Sequence, residues 1–281
     1  MKTISENLAI IAKTVQRPLE EVVAQHVREA LLRRVSYSAY ADVFVLRGGM
    51  LTRIWVPDGM RVPQDVDFVG LYPFDVEKSQ QCLHAALANP DMDDGVAFDL
   101  DSLQAKAIWE ETEFPGVRLT VGAIAGEHDY HVQIDIGFGD PLVPPAQWLY
   151  YPSLLEGLPV KLQACRPETL VGWKLHGLVE FGAKRWRAKD LYDLMLLTNY
   201  TVLDASSLLD AIDVAFSSRE TPLEEVLAML SSPASWNNSR NRSKWKKFRS
   251  SNPLPSIPDD LSECVTVVSE RLKGAVESLI D

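Results

Sequence analysis

Two aspartates separated by a single residue, Asp65 and Asp67, have the clearest chemical potential in this sequence. Alternate residues of a β-strand project from the same face, so the two carboxylates would lie side by side while Val66 and Phe68 point into the core. Such a pair is costly unless a positive group lies between its members. Carboxylate oxygens suit Mg²⁺, which is usually shared with substrate phosphates. The spacing therefore predicts a site for Mg²⁺ or Mn²⁺, although a lone pair of this kind is more simply a solvated strand face.

A third carboxylate, Asp135, lies in a segment where Val132, Ile134 and Ile136 alternate with polar residues. If this strand neighbours the strand of Asp65 and Asp67, three carboxylates meet on one sheet face. A metal held there would stabilise the attacking and leaving oxygens of an in-line phosphoryl or nucleotidyl transfer.

Gly48 and Gly49 follow the apolar run 43–46 and precede MLTRIW, a pattern that predicts a strand, a tight turn and a helix start. Glycines let backbone approach a ligand closely, and N–H groups at a helix start attract phosphate oxygens. The turn matches neither the P-loop nor the dinucleotide fingerprint, and a plain structural turn is the alternative. Thr52 is the first residue after the two glycines that has a hydroxyl group, and it is a candidate for nucleotide binding. Arg53 and Arg61 could contact a triphosphate, or simply be surface arginines.

Lys174 lies on one helical stripe with Val171 and Phe181, so its ammonium emerges from an apolar seam where an unpaired charge would be costly. A phosphate and the Asp190 carboxylate are both candidate partners, and extension of the side chain to solvent is the alternative. Asp190 falls in the first turn of a predicted helix over 188–199, where the helix dipole alone would stabilise it.

Several segments between about Val43 and Leu197 together resemble the AbiEii/AbiGii family of nucleotidyltransferase-like toxins, within the polymerase β-type superfamily. The segments are VLRGGMLTRIW, RVPQDVDFVG, FPGVRLTV, VQIDIGFGDPL and ETLVGWKLHGLVEFGAKRWRAKDLYDL. The resemblance implies that the glycine turn holds the donor triphosphate and that a Lys and an Asp on a later helix pair are needed for activity. By position it assigns nucleotide binding to Gly48 and Gly49, metal binding to Asp65, Asp67 and Asp135, and catalysis to Asp65, Asp67, Lys174 and Asp190.

The same resemblance implies an NTP-dependent toxin of a toxin–antitoxin or phage-defence system, with a cognate antitoxin protein. The acceptor would be RNA, with a tRNA 3′ end suggested by analogy, or a protein hydroxyl. Two alternatives stay open: a catalytically silent partner in a two-protein antitoxin system, and a transferase for small molecules. A binding module has no need of clustered carboxylates, which argues against the silent protein.

Alternating segments in the middle of the chain predict strands at 96–101, 116–126, 130–138 and 160–164, and a short loop at Gly126–Asp129 predicts an antiparallel hairpin. Helical patterns dominate afterwards. We therefore expect an α/β (α+β) fold: a nucleotidyltransferase domain over 1–160, with a mixed sheet, flanking helices and N-terminal helices, and a helical domain over 161–281.

The net charge of −11 excludes adhesion to nucleic acid or anionic membrane through overall charge. One local segment differs, because no acidic residue occurs from Val226 to Pro258. Its basic residues predict an RNA-binding patch: Arg240, Arg242, Lys244, Lys246, Lys247 and Arg249. Trp236, Trp245 and Phe248 could stack on unpaired bases, or pack on the core beneath solvated charges.

Three cysteines without a CxxC pair favour a reducing compartment, which predicts a cytoplasmic protein. No apolar run approaches the length of a membrane span.

Overall fold

The computed structural model describes residues 3–56, 63–89, 92–158, 160–180, 186–254 and 256–280. Arg61, a candidate triphosphate contact, lies outside these residues. The chain divides into two compact units, and the second consists of Trp55–Arg61, Pro141–Ala146 and Cys165–Asp281. The sequence places the domain boundary near residue 160, whereas the last strand of the sheet continues the first unit to Ala164.

Helices and strands alternate irregularly before Cys165. The helices are α1 Ile4–Thr14, α2 Leu19–Ser36, α3 Thr52–Trp55 and α4 Val76–Leu87, with a 3₁₀ turn at Gly48–Leu51. The strands are β1 Phe44–Arg47, β2 Val66–Gly70, β3 Val96–Ile108, β4 Gly116–Ala125, β5 His128–Gly137, β6 Gln147–Tyr151 and β7 Val160–Ala164.

These strands form one mixed sheet in the order β3-β4-β5-β2-β1-β7-β6 within the described part of the chain. Two neighbouring pairs, β2 with β5 and β1 with β7, are parallel, and the other pairs are antiparallel. The mixed sheet confirms the expected fold class. Strand β6 was not predicted, because it lies in a proline-rich stretch and forms through pairing with β7 rather than through a strong pattern of its own.

The strands that hold the candidate site have one apolar face. Val66 and Phe68 are 0% and 1% exposed, as the alternation predicts, and Leu46, Ile134 and Ile136 are also fully buried. Helix α2 packs on the sheet through contacts with β7, β5 and β4. Burial of Val27, Leu31 and Leu32 on this helix fixes the sheet from one side by the hydrophobic effect.

The second unit is helical in the residues that the structure describes. Its helices are α5 Pro167–Glu180, α6 Ala188–Tyr200, α7 Ala205–Ser217, α8 Leu223–Ser231, α9 Pro233–Trp236, α10 Ser239–Ser251 and α11 Leu261–Ile280. Helices α5 and α7 approach closely at Gly172, where a Cβ would lie 2.5 Å from the Ala211 carbonyl oxygen. Among the described helices, none has the length and apolar character that crossing a membrane requires.

Candidate active site

Five charged residues lie in register across five neighbouring strands of the first unit. The row runs Lys106 on β3, Arg118 on β4, Asp135 on β5, Asp67 on β2 and Arg47 on β1. Residues directly opposite one another on paired strands project from the same face. Because β2 and β5 are neighbours, Asp67 and Asp135 lie side by side, and Asp65 immediately precedes β2, two positions before Asp67.

The glycine turn closes directly on Asp67. Gly48 has φ +74°, a left-handed conformation, and a Cβ at this position would lie 2.1 Å from Asp67 Oδ2. A side chain fits there only if Asp67 moves, so glycine at position 48 is favoured by both conformation and space. The backbone of the turn is thereby held against the second aspartate of the pair.

Thr52 and Arg53 are engaged in packing around this turn. Thr52 is 3% exposed, and its hydroxyl donates a hydrogen bond to the Gly49 carbonyl oxygen at 2.7 Å. Arg53 Nη1 lies 3.8 Å from Glu29 Oε1. Burial raises the pKa of Glu29, and Arg53 opposes that shift. The structure thus places Thr52 as a residue that stabilises the turn, and Arg53 beside a buried carboxyl group.

Asp135 is paired with an arginine that the sequence analysis did not single out. Arg118 Nε–H donates to Asp135 Oδ1 at 2.8 Å, and Nη2 donates to Oδ2 at 2.7 Å, a bidentate arrangement. This hydrogen bonding raises the pKa of Arg118, and the negative charges of Asp65 and Asp67 raise it further. Arg118 is therefore a positive charge that offsets the repulsion among three carboxylates.

Arg118 could have been found by counting along the predicted hairpin. A tight turn at Gly126 pairs Ala125 with His128, and the same antiparallel register sets Arg118 opposite Asp135. Extending the register of the hairpin from its turn along both strands identifies Arg118 as the residue opposite Asp135.

The sequence predicts a metal site of three carboxylates, but in the structure one of them, Asp135, is paired with Arg118. Among the described residues, no group of three or more His, Cys, Asp or Glu side chains could hold a metal ion. Asp65 and Asp67 are both half-buried, both act on the charge of Arg118, and both offer hard oxygen donors. Mg²⁺ commonly takes one or two carboxylates and completes its octahedron with water and substrate phosphates, so this pair fits it.

Lys174 and Asp190 contact each other within the second unit. Lys174 Nζ lies 3.0 Å from Asp190 Oδ1 and 2.7 Å from Asp193 Oδ2, and the three residues are 8%, 6% and 0% exposed. The predicted carboxylate partner is thus present, and extension of the lysine to solvent is excluded. Asp193 was missed, although its place one turn after Asp190 puts both carboxylates on one side of α6. Arg187 Nε also lies 3.0 Å from Asp190 Oδ2.

The basic segment forms helix α10, but its aromatic residues do not lie on the surface. Trp245 is 2% exposed and its indole N–H donates to the Pro258 carbonyl oxygen, while Trp236 is 7% exposed. The Phe248 ring packs on Trp245 and Tyr192. Burial of Trp236 and Trp245 favours the alternative that these two rings pack on the core, and it contradicts the expectation that they stack on bases.

Three of the six basic residues on α10 have partners within the second unit. Arg249 pairs with Asp259, Arg242 donates to the Asn237 carbonyl oxygen, and the Lys244 ammonium lies 5.2 Å from the centre of the Trp186 ring. The solvent-exposed members of the set are Arg240, Arg242, Lys246 and Lys247.

Comparison with known proteins agrees with this geometry. A family model described as nucleotidyl transferase AbiEii toxin, type IV toxin–antitoxin system, matches residues 30–267. The crystal structure of a candidate nucleotidyltransferase from H. pylori is similar, with a TM-score of 0.57, 15% identity, and coverage of 93% of this chain and 96% of that one. JHP933 from Helicobacter pylori gives a TM-score of 0.55 at 15% identity and covers 93% and 94%. A search of curated proteins gives no match. The chain belongs to the AbiEii family of nucleotidyltransferase toxins of type IV toxin–antitoxin systems.

Proposed function

We propose that this toxin transfers a nucleotide from an NTP to an RNA hydroxyl, with Mg²⁺ or Mn²⁺ held by Asp65 and Asp67. In this step the acceptor oxygen forms a bond to the α-phosphorus, the bond to pyrophosphate breaks, and the hydroxyl proton is released to water. A metal ion bound by these two carboxylates would supply charge stabilisation for the triphosphate and the leaving pyrophosphate. The tRNA 3′ end is the acceptor to test first.

The observation that carries this proposal is the contact between the glycine turn and Asp67. A Cβ on Gly48 would overlap the Asp67 carboxylate, so the turn and the carboxylate occupy one small volume at the end of β1. A donor triphosphate along the turn would have its charged oxygens beside the metal ligands. Neither feature by itself distinguishes a transferase from an ordinary sheet, whereas their direct apposition favours phosphate chemistry.

The arginines of the charged row suit the same chemistry. Arg118 holds Asp135 by two hydrogen bonds and remains 33% exposed, and Arg47 Nη1 lies 2.5 Å from Asp140 Oδ2. Both guanidinium groups stay charged at any physiological pH. We infer that they orient the acidic residues around the site and offset the negative charge that a triphosphate brings.

Lys174 has a different role in this proposal from the one that the resemblance implies. Its ammonium already contacts two buried carboxylates, so it acts as a positioning residue that fixes α5 against α6.

RNA is favoured as the acceptor by the charge of α10. Arg240, Lys246 and Lys247 are exposed in a segment without acidic residues, on a chain whose net charge is −11. Such a patch attracts phosphodiesters, and the acidic remainder of the chain repels them. A protein hydroxyl would need no such patch.

The test is transfer of label from each α-³²P NTP in turn to purified RNA, with Mg²⁺ or Mn²⁺ and with EDTA as the control for metal. We expect label on RNA from the wild type, loss with EDTA, and loss of at least 100-fold in Asp67→Asn. Asp101→Asn, the same change at an exposed strand position, is the matched control and should keep full activity. Full transfer by Asp67→Asn, or label on protein alone, would contradict the proposal.

A further inference from the structure

An exposed aromatic pair lies on the edge strand β6. Trp148 is 44% exposed and Tyr150 is 70% exposed, whereas Tyr151, the last residue of the same strand, is 3% exposed. The two rings are at alternate positions of the strand and therefore share one face. Large aromatic side chains at these levels of exposure leave apolar surface in water, which the folding of this unit does not require.

A lysine on the adjacent strand lies between the two rings. Lys161 on β7 is paired in register with Tyr150, and its Nζ lies 5.9 Å from the centres of both the Trp148 and the Tyr150 rings. This distance is within the range of cation–π attraction. The three side chains form a compact surface, here called the β6–β7 platform, that combines two π-faces with one positive charge.

Strand register puts the platform on the face of the sheet that carries the acidic residues. Trp148 is paired with Gln163, Gln163 with Val45, and Val45 lies two positions before Arg47, the residue opposite Asp67. With about 4.8 Å between strands and about 3.3 Å per residue along them, Trp148 is roughly 16 Å from Asp67 and Tyr150 roughly 19 Å. A single strand of a few nucleotides spans this distance.

We propose that Trp148, Tyr150 and Lys161 form a stacking platform for an unpaired stretch of the RNA acceptor. This inference rests on the proposed transferase function and adds to it the part of the sheet that holds the acceptor near its reacting end. Sheets that present aromatic rings at such positions bind single strands by stacking two or three bases, and a neighbouring cation contacts the phosphates. Trp236 and Trp245 of the basic segment cannot take this role because they are buried.

The experiment measures binding of a fluorescein-labelled single-stranded RNA hexanucleotide by fluorescence anisotropy, without NTP or metal. Replacing both rings in Trp148→Thr with Tyr150→Thr keeps residues that favour strands and should weaken binding about 100-fold, or about tenfold per ring. Trp148→Phe with Tyr150→Phe retains two rings and should bind within about threefold of wild type. Tyr200→Thr, which removes another exposed tyrosine, is the matched control and should bind normally.

Two further variants, measured in the same binding assay, distinguish the platform from the transferase site. Lys161→Gln should weaken binding and reduce its dependence on salt, because one phosphate contact is lost. Asp67→Asn should bind the hexanucleotide as the wild type does although it transfers nothing. Ring-dependent binding without any transfer activity would keep the platform and refute the transferase. Wild-type binding that is undetectable, or equal in the Thr variants, or lost in the Phe variants, would overturn the platform.

Discussion

Replacing Gly48 with alanine tests the apposition on which the proposed function depends. The new Cβ would lie 2.1 Å from Asp67 Oδ2, 2.8 Å from its Cγ and 2.9 Å from its Cβ. Ordinary contact begins near 3.4 Å, so the Asp67 carboxylate must move by about 1.3 Å. An alanine at φ +74° also costs about 1–2 kcal/mol in backbone conformation.

We therefore expect Gly48→Ala to lower the free energy of unfolding by about 2–3 kcal/mol, the backbone cost plus that of displacing Asp67. Transfer activity should fall at least 100-fold, because a displacement of about 1 Å at a reacting group costs that much. The measurements are urea unfolding followed by circular dichroism, and label transfer to RNA under conditions where the variant is folded.

A double-mutant cycle identifies the cause of the loss. In Asp67→Ala, two of the three overlapping atoms are absent, so Gly48→Ala should lower stability by only about 1–2 kcal/mol, close to the cost of conformation alone. Gly274→Ala, at a helical glycine with open space around its Cβ, is the control and should stabilise the protein by up to about 1 kcal/mol. An equal cost of Gly48→Ala in both backgrounds would refute the reasoning.

Three other perturbations address the remaining charged groups. Lys174→Met should lower the free energy of unfolding, measured with urea, by about 3 kcal/mol, because two buried carboxylates lose their ammonium partner. An unchanged free energy of unfolding would mean that the contacts of Lys174 with Asp190 and Asp193 do not stabilise the protein. Arg118→Gln should lower the Tm measured in EDTA by the equivalent of about 2 kcal/mol, because Asp135 then lies beside Asp67 without a cation. Millimolar Mn²⁺ should restore part of the lost Tm. A Tm that is the same with and without Mn²⁺ would contradict this prediction. Lys246→Glu with Lys247→Glu should raise the RNA concentration needed for half-maximal transfer and flatten its salt dependence at unchanged KM for NTP, whereas unchanged RNA dependence would assign α10 to the surface alone.

Local pattern was sufficient for the parts of this protein that depend on neighbours in sequence. Alternation of apolar and polar residues placed Val66 and Phe68 in the core and the two aspartates on the opposite face, because the side-chain period of a strand is two. The glycine turn and the hairpin of β4 and β5 also followed from spacing, since each depends on turn chemistry. For Lys174, the cost of a buried charge named Asp190 as one of two candidate partners, and the structure shows that pair.

Other features depended on which elements meet in space, and these were decided only by the tertiary structure. The burial of Trp236 and Trp245 could not be distinguished from exposure by sequence, because aromatic residues interleaved with basic ones are compatible with either side facing the core. Strand β6 gained its place by pairing with β7, and the further pairing of β7 with β1 put Trp148 and Tyr150 on the face of Asp67. The pairing of β7 with β1 joins strands far apart in the chain, a long-range choice to which local propensity contributes little.

The sequence by itself determined that this chain carries three aspartates and a glycine turn on strands of a mixed fold, because residue type and strand period are local properties. Only the tertiary structure decided how those residues are used: the Gly48 backbone is against Asp67, while Asp135 is held by Arg118. Carboxylates and guanidinium groups interact over a few ångströms through space, and chain folding sets those distances independently of separation in sequence.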